Sequence, residues 1–118
     1  MKLNLNNKGI AAEAAAARFL KQQGLVLVAQ NYSCRFGEID LIMQEKSTLV
    51  FVEVRLRSNQ KFTSAADSIH HHKQQKLIRA AQYYLQSQDI NRPCRFDAVL
   101  FNEPTFESPN WIRNAIET

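Results

Sequence analysis

Three carboxylates occupy positions where an ordinary surface acid is not expected. Glu53 lies within Thr48-Leu49-Val50-Phe51-Val52-Glu53-Val54-Arg55-Leu56-Arg57, a run so rich in β-branched and aromatic residues that it reads as a central, buried strand. A carboxylate buried there is costly unless a cation or strong donors offset it. Asp40 lies in the preceding apolar run, Glu38-Ile39-Asp40-Leu41-Ile42-Met43, opened by Gly37. Period-two alternation puts Glu38, Asp40 and Ile42 on one face of that run, and Phe51, Glu53 and Arg55 on one face of the next. The polar Gln44-Glu45-Lys46-Ser47 between them has hairpin length, so the two runs are expected to pair antiparallel. Asp40 and Glu53 then converge where the strands diverge. Such a pair suits a hard divalent cation, Mg²⁺ or Mn²⁺, which takes carboxylate, water and phosphate oxygens. A cation held there can polarise a phosphodiester, generate hydroxide and stabilise the leaving oxygen. Arg55, on the face of Glu53, has two readings: a phosphate clamp, or an ion pair that fills the metal's place.

Positioning these groups requires a helix before the hairpin and another after it. Ala11-Ala12-Glu13-Ala14-Ala15-Ala16-Ala17 has high helix propensity and Gly24 is a natural stop, so the first helix is expected over Lys8–Gln23. Helical spacing places Glu13 on one stripe with Ala16, Ala17 and Leu20, from which it would hold a metal-bound water or a second ion. Its bland alternative is a salt bridge to Arg18 or Lys8. Leu25–Val28 reads as a short strand before polar Gln30-Asn31. After the hairpin comes a basic loop, Ser58 to Phe62, that includes Lys61. A long helix over Ser64–Gln86 follows, with Ile69, Leu77, Ala80, Ala81, Tyr84 and Leu85 as its apolar stripe. Lys73 falls on that stripe, which is unusual for a plain core helix. Arg95–Phe101 is a further strand, with Arg95 and Asp97 spaced for a structural ion pair, and Trp111-Ile112 a short edge strand. The order αβββαβ(β) predicts an α/β fold: a central mixed sheet of four to five strands flanked by helices.

Composition sets the outer limits. The 118 residues suit one domain, 45% are apolar and 22% charged, and only three glycines and three prolines are present. A formal charge of +4 permits a polyanionic partner without demanding one. Cys34 and Cys94 have no second pair at zinc-ligand spacing, and are expected to be reduced, buried thiols. The first residues lack the apolar run of a signal peptide and no stretch is long enough to span a membrane, so a cytoplasmic protein is expected. Three consecutive histidines, His70-His71-His72, point in three directions on a helix and cannot converge on one ion.

Gly37-Glu38-Ile39-Asp40-Leu41-Ile42 and Val50–Arg57 together resemble the signature of the YraN family of bacterial proteins, placed in the PD-(D/E)xK, restriction-endonuclease-like nuclease superfamily. The Glu13 helix, Lys73, Gln74, Lys76 and Arg95-Phe96-Asp97 extend the resemblance over nearly the whole chain. The pattern is similar also to that of archaeal Holliday-junction resolvases, in which a helical Glu, a strand Asp and a Glu-x-Lys motif bind metal. The resemblance implies that Asp40 and Glu53 are metal ligands and Glu13 an auxiliary acid. Arg55 stands where the superfamily normally carries Lys. An Arg is a fixed, fully protonated fork and a poor proton acceptor, so Lys73 is expected to take the lysine's part.

The resulting expectation is a metal-dependent endonuclease acting on DNA, with branched or irregular structures as candidate substrates. Its catalytic set is Glu13, Asp40, Glu53, Arg55 and Lys73, and its phosphate contacts are Arg55, Arg57, Lys61, Lys73, Lys76 and Arg79. A solvated basic helix face is the plain reading of Lys73, Lys76 and Arg79. A binding module that keeps the fold without the chemistry, or a subunit recruited to a repair or recombination assembly, are the competing functions. Junction cleavage would call for a homodimer, whose face the sequence does not mark.

Overall fold

The computed structural model describes residues 7–57, 71–102 and 108–116. Among the described residues seven elements follow one another: α1 (Asn7–Gln22), β1 (Val26–Cys34), β2 (Gly37–Glu45), β3 (Thr48–Arg57), α2 (His71–Ser87), β4 (Cys94–Asn102) and β5 (Asn110–Ile116). They build the expected α/β architecture, one mixed sheet in the order β1-β2-β3-β4-β5. Every neighbouring pair is antiparallel except β3 and β4. A parallel pair needs a crossover, and α2 lies in the connection that makes it.

The two helices cover opposite faces. Ala12, Ala15, Ala16, Ala17 and Leu20 of α1 pack with Leu41, Met43, Val50, Val52, Val99 and Phe101. Leu77, Ala80, Ala81 and Tyr84 of α2 pack with Ile42, Leu49, Phe51, Phe96 and Ala98 on the other side. Alanines on α1 let its backbone lie close to the sheet. Its end is fixed by Gly24 at φ +101°: the Gly24 amide donates to the Lys21 carbonyl and the Leu25 amide to the Leu20 carbonyl. Leu20 and Leu25 are both buried, completing a Schellman cap. The same device closes α2 with Asp89 at φ +52° and Ile90 bonding back to Leu85.

Four differences from the sequence expectation have physical causes. The first strand does not stop at Val28 but runs through Gln30 and Asn31 to Cys34, because an edge strand can turn polar residues to water. The last strand is seven residues long, not two, its Arg113 and Asn114 likewise facing solvent. Cys34 is half-buried at the end of β1, on the rim of the core under α2, and Cys94 is exposed at the start of β4; both are free thiols. Strict alternation in β2 also fails, since Ile39 and Ile42 both pack on the α2 side. The break falls at Asp40, opposite Asn31, whose φ of +55° turns the edge strand locally. The second helix is described from His71, so Ser64 to His70, with Ile69, lie outside the described residues, as do Lys61 and Phe62. Among the described residues no helix is long and apolar enough to cross a membrane.

Candidate metal centre and basic cleft

The β2–β3 ladder ends at Leu41 and Val52, while β3 stays paired with β4 as far as Arg57 and Asn102. Beyond Leu41 the backbone of β3 therefore has no strand on its β2 side. Asp40 fills that place: its Oδ2 accepts the Val54 amide at 2.8 Å. A backbone donor freed by strand divergence must find an acceptor, and here the acceptor is one of the two acids expected at the site.

Glu53 points from β3 to the α2 side, only 4% exposed. At that depth an unpaired carboxylate would be prohibitive, so its partners are informative. Lys73 Nζ lies 2.7 Å from Glu53 Oε2, and Arg55 Nη1 lies 3.5 Å from the same oxygen. Thus both cations singled out in the sequence meet on one carboxylate. Glu13 reaches Asp40 from the α1 side, hydrogen-bonding to it and to Asn31. No salt bridge of Glu13 to Arg18 is present among the described residues.

The electrostatics follow from crowding. Burial raises the Asp40 carboxyl, and the negative charge of Glu53 raises it further, to about 7; the Val54 amide pulls the other way, Glu13 adds to the rise and Lys73 opposes it. Burial also raises Glu13, against the hydrogen bonds from Asp40 and Asn31. Near neutral pH, Asp40 is therefore partly protonated.

Asp40 and Glu53 open onto a cleft of about 350 Å³ between the start of β2 and α2, lined also by Gly37, Glu38, His72, Lys73 and Lys76. Gly37, at φ +152°, brings β2 against the Lys76 backbone, where an added Cβ would sit 3.6 Å from the carbonyl oxygen. Arg79 continues the exposed basic side of α2 beyond the cleft. Of Arg57 the backbone place at the end of β3 is described, and Lys61 lies outside the described residues. His71 and His72 are exposed. Asp97 is the structural ion-pair partner expected for Arg95, bonded to it at 2.9 and 3.1 Å. It also accepts the Trp111 indole N–H and the Asn114 amide, which keeps it apart from the cleft.

Two participants escaped the sequence reading. Asn31 bonds Glu13 from an edge strand expected to have ended, and the Val54 amide acts through backbone alone. Nothing in the residue types marks either.

Hard oxygen donors at Asp40 and Glu53 fit Mg²⁺ or Mn²⁺, which are held by one or two carboxylates with water and phosphate completing the shell. Among the described residues no three His, Cys, Asp or Glu side chains gather into a ready-made ligand set.

Comparison with known proteins finds relatives over most of the chain. A UPF0102 protein of Nitrosomonas europaea is 55% identical over 111 residues, covering 94% of each chain. A UPF0102 protein of Methylobacillus flagellatus is 52% identical over 107 residues, 91% of this chain and 94% of its own. One from Pseudomonas fluorescens is 47% identical over 112 residues, 93% and 92% of the two chains. The family model described as uncharacterised protein family UPF0102 matches residues 12–101, a span that takes in Glu13, Asp40, Glu53, Arg55 and Lys73. With its fold and its acidic hairpin in agreement, the chain belongs to the UPF0102 family, the YraN group anticipated from its two strand motifs.

Proposed function

We propose that this protein is a metal-dependent endonuclease that hydrolyses phosphodiester bonds in DNA at the cleft between β2 and α2. One observation carries the reading. Two carboxylates from adjacent strands, Glu53 buried and Asp40 half-buried, lie at the point where the strands part, and Asp40 is pushed up to about 7 by desolvation and by the charge of Glu53. Satisfying the Val54 amide does not require an acid pushed so high, and perturbed acids in a cleft point to a functional site. Asp40 and Glu53 would hold Mg²⁺ or Mn²⁺, which would supply Lewis-acid polarisation of the phosphate.

The chain's own residues carry the remaining work. Lys73, already 2.7 Å from Glu53, turns its ammonium to the incoming phosphate or to the attacking water. It thereby supplies the mobile cation that a guanidinium at position 55 does not. Arg55 offers a fixed fork to a non-bridging oxygen. Glu13 orders Asp40 by hydrogen bonding. Lys76 and Arg79 neutralise flanking phosphates.

The test is direct. Labelled single-stranded, duplex, flapped and four-way-junction DNA, with RNA counterparts, are incubated with protein in Mg²⁺ or Mn²⁺. Cleavage should appear with at least one substrate and vanish in Asp40→Ala and Glu53→Ala. Cleavage surviving both substitutions removes the site. A second reading, a non-catalytic nucleic-acid-binding module, is favoured by the neutralisation of Glu53 by Lys73 and Arg55. It predicts salt-sensitive binding unaffected by EDTA and no turnover under any condition.

A further inference from the structure

Beside the cleft, on the side away from Glu53, α2 and the β1–β2 turn enclose two adjoining hollows of about 340 Å³ each. They share Arg35, Phe36 and Arg79, and the first shares His72 and Lys76 with the cleft. The three spaces therefore form one path along the exposed side of α2. From His72 to Gln86 that path is about 20 Å long at a helical rise of about 1.5 Å per residue.

We propose that this path is a binding groove for a single-stranded polynucleotide leading to or from the cleft. Its chemistry is selective. No Asp or Glu lines either hollow, whereas Arg35, Lys76 and Arg79 do, and among the described residues none of these three is ion-paired with a carboxylate. Two aromatic rings, Phe36 and Tyr83, line the path with the cations. Phe36 and Tyr83 have ring centroids 5.7 Å apart at 60°, and the Arg35 guanidinium lies 5.0 Å from the Phe36 centroid. Tyr83 is 41% exposed, far more than its neighbour Tyr84 at 8%, which packs in the core. Cations for the backbone and an exposed aromatic ring for a base, here Tyr83 in contact with Phe36, are the two elements of single-strand recognition. A duplex offers the phosphates but keeps its base faces stacked, so it can use only half of this surface. The path selects an unpaired strand.

The proposal rests on the nuclease reading for the groove's role in feeding the cleft, and binding without metal separates the two. Fluorescein-labelled twelve-nucleotide dT and rU tracts and a duplex of equal length are titrated with full-length protein at low salt in EDTA, read by anisotropy. At least one single strand should bind more tightly than the duplex. Tyr83→Ala and Phe36→Leu should each weaken that binding roughly tenfold while leaving the duplex unchanged. Tyr83→Phe, which keeps the ring, should bind as the parent does. Phe36→Leu preserves apolar contact with the sheet, and circular dichroism checks that each variant is folded. Equal affinity for strand and duplex overturns the groove, as does indifference to both ring substitutions. Whichever of dT and rU binds better tells DNA strands from RNA. Ring-dependent binding without any metal-dependent cleavage would instead count against the nuclease alone.

Discussion

Replacing Asp40 with Asn should stabilise the metal-free protein, and increasingly so as the pH rises. The amide oxygen can still accept the Val54 N–H, so the backbone of β3 keeps its partner while the charge is removed. Burial and the charge of Glu53 raise the wild-type carboxyl from 3.8 to about 7. Across that window the folded protein binds more protons than the unfolded chain, so wild-type stability falls as pH rises, and the full loss is present above the upper value. Between pH 5 and pH 8 about two pH units of the window are crossed. At about 1.4 kcal/mol per unit this makes a change near 3 kcal/mol, all of it absent from the variant. Urea unfolding followed by circular dichroism at pH 5, 6, 7 and 8 in EDTA measures it as a difference, in which the histidines cancel. The variant's advantage should grow by about 3 kcal/mol over the series. An advantage that stays constant, or shrinks, would refute the claim that desolvation and the nearby charge of Glu53 hold the Asp40 carboxyl above its ordinary range.

Three further outcomes are expected. Mn²⁺ at a hundredfold excess over its Kd should stabilise the wild type by about 2.7 kcal/mol and leave the Asp40→Asn/Glu53→Gln double variant unmoved, as read by thermal shift. Lys73→Met should cost about 1–2 kcal/mol in denaturant unfolding at pH 7: Glu53 is buried, but the lysine is half in water and Arg55 remains. Asp97→Ala should cost about 3 kcal/mol, since it strands the Trp111 N–H and the Asn114 amide together and leaves the Arg95 guanidinium with Glu45 alone, and it should leave single-strand binding intact in the folded fraction.

Periodicity revealed most of the frame. The unbroken apolar run around Glu53 identified the central strand with the bounds it has, because a strand covered on both faces leaves little room for polar residues. The Ala-rich helix ended at Gly24 as its chemistry required. Edges were harder to read: β1 and β5 each have a face in water, where residue type says little about pairing, and both came out longer than expected. Within the site, Lys73 was legible because a charge on an apolar stripe needs a reason, and its contact with Glu53 supplies one. The in-plane position of Asp40 was not. It depends on a left-handed residue across the ladder and on a backbone amide, neither of which leaves a trace in the spacing of side chains.

The amide that Asp40 captures has a use beyond structure. Its proton is held by a carboxylate whose charge changes near neutral pH, so its nuclear magnetic resonance should drift with that titration and move again when a cation arrives. One nitrogen-labelled backbone position, silent in any activity assay, thus gives a local readout of occupancy. It can be followed in protein that never turns over a substrate.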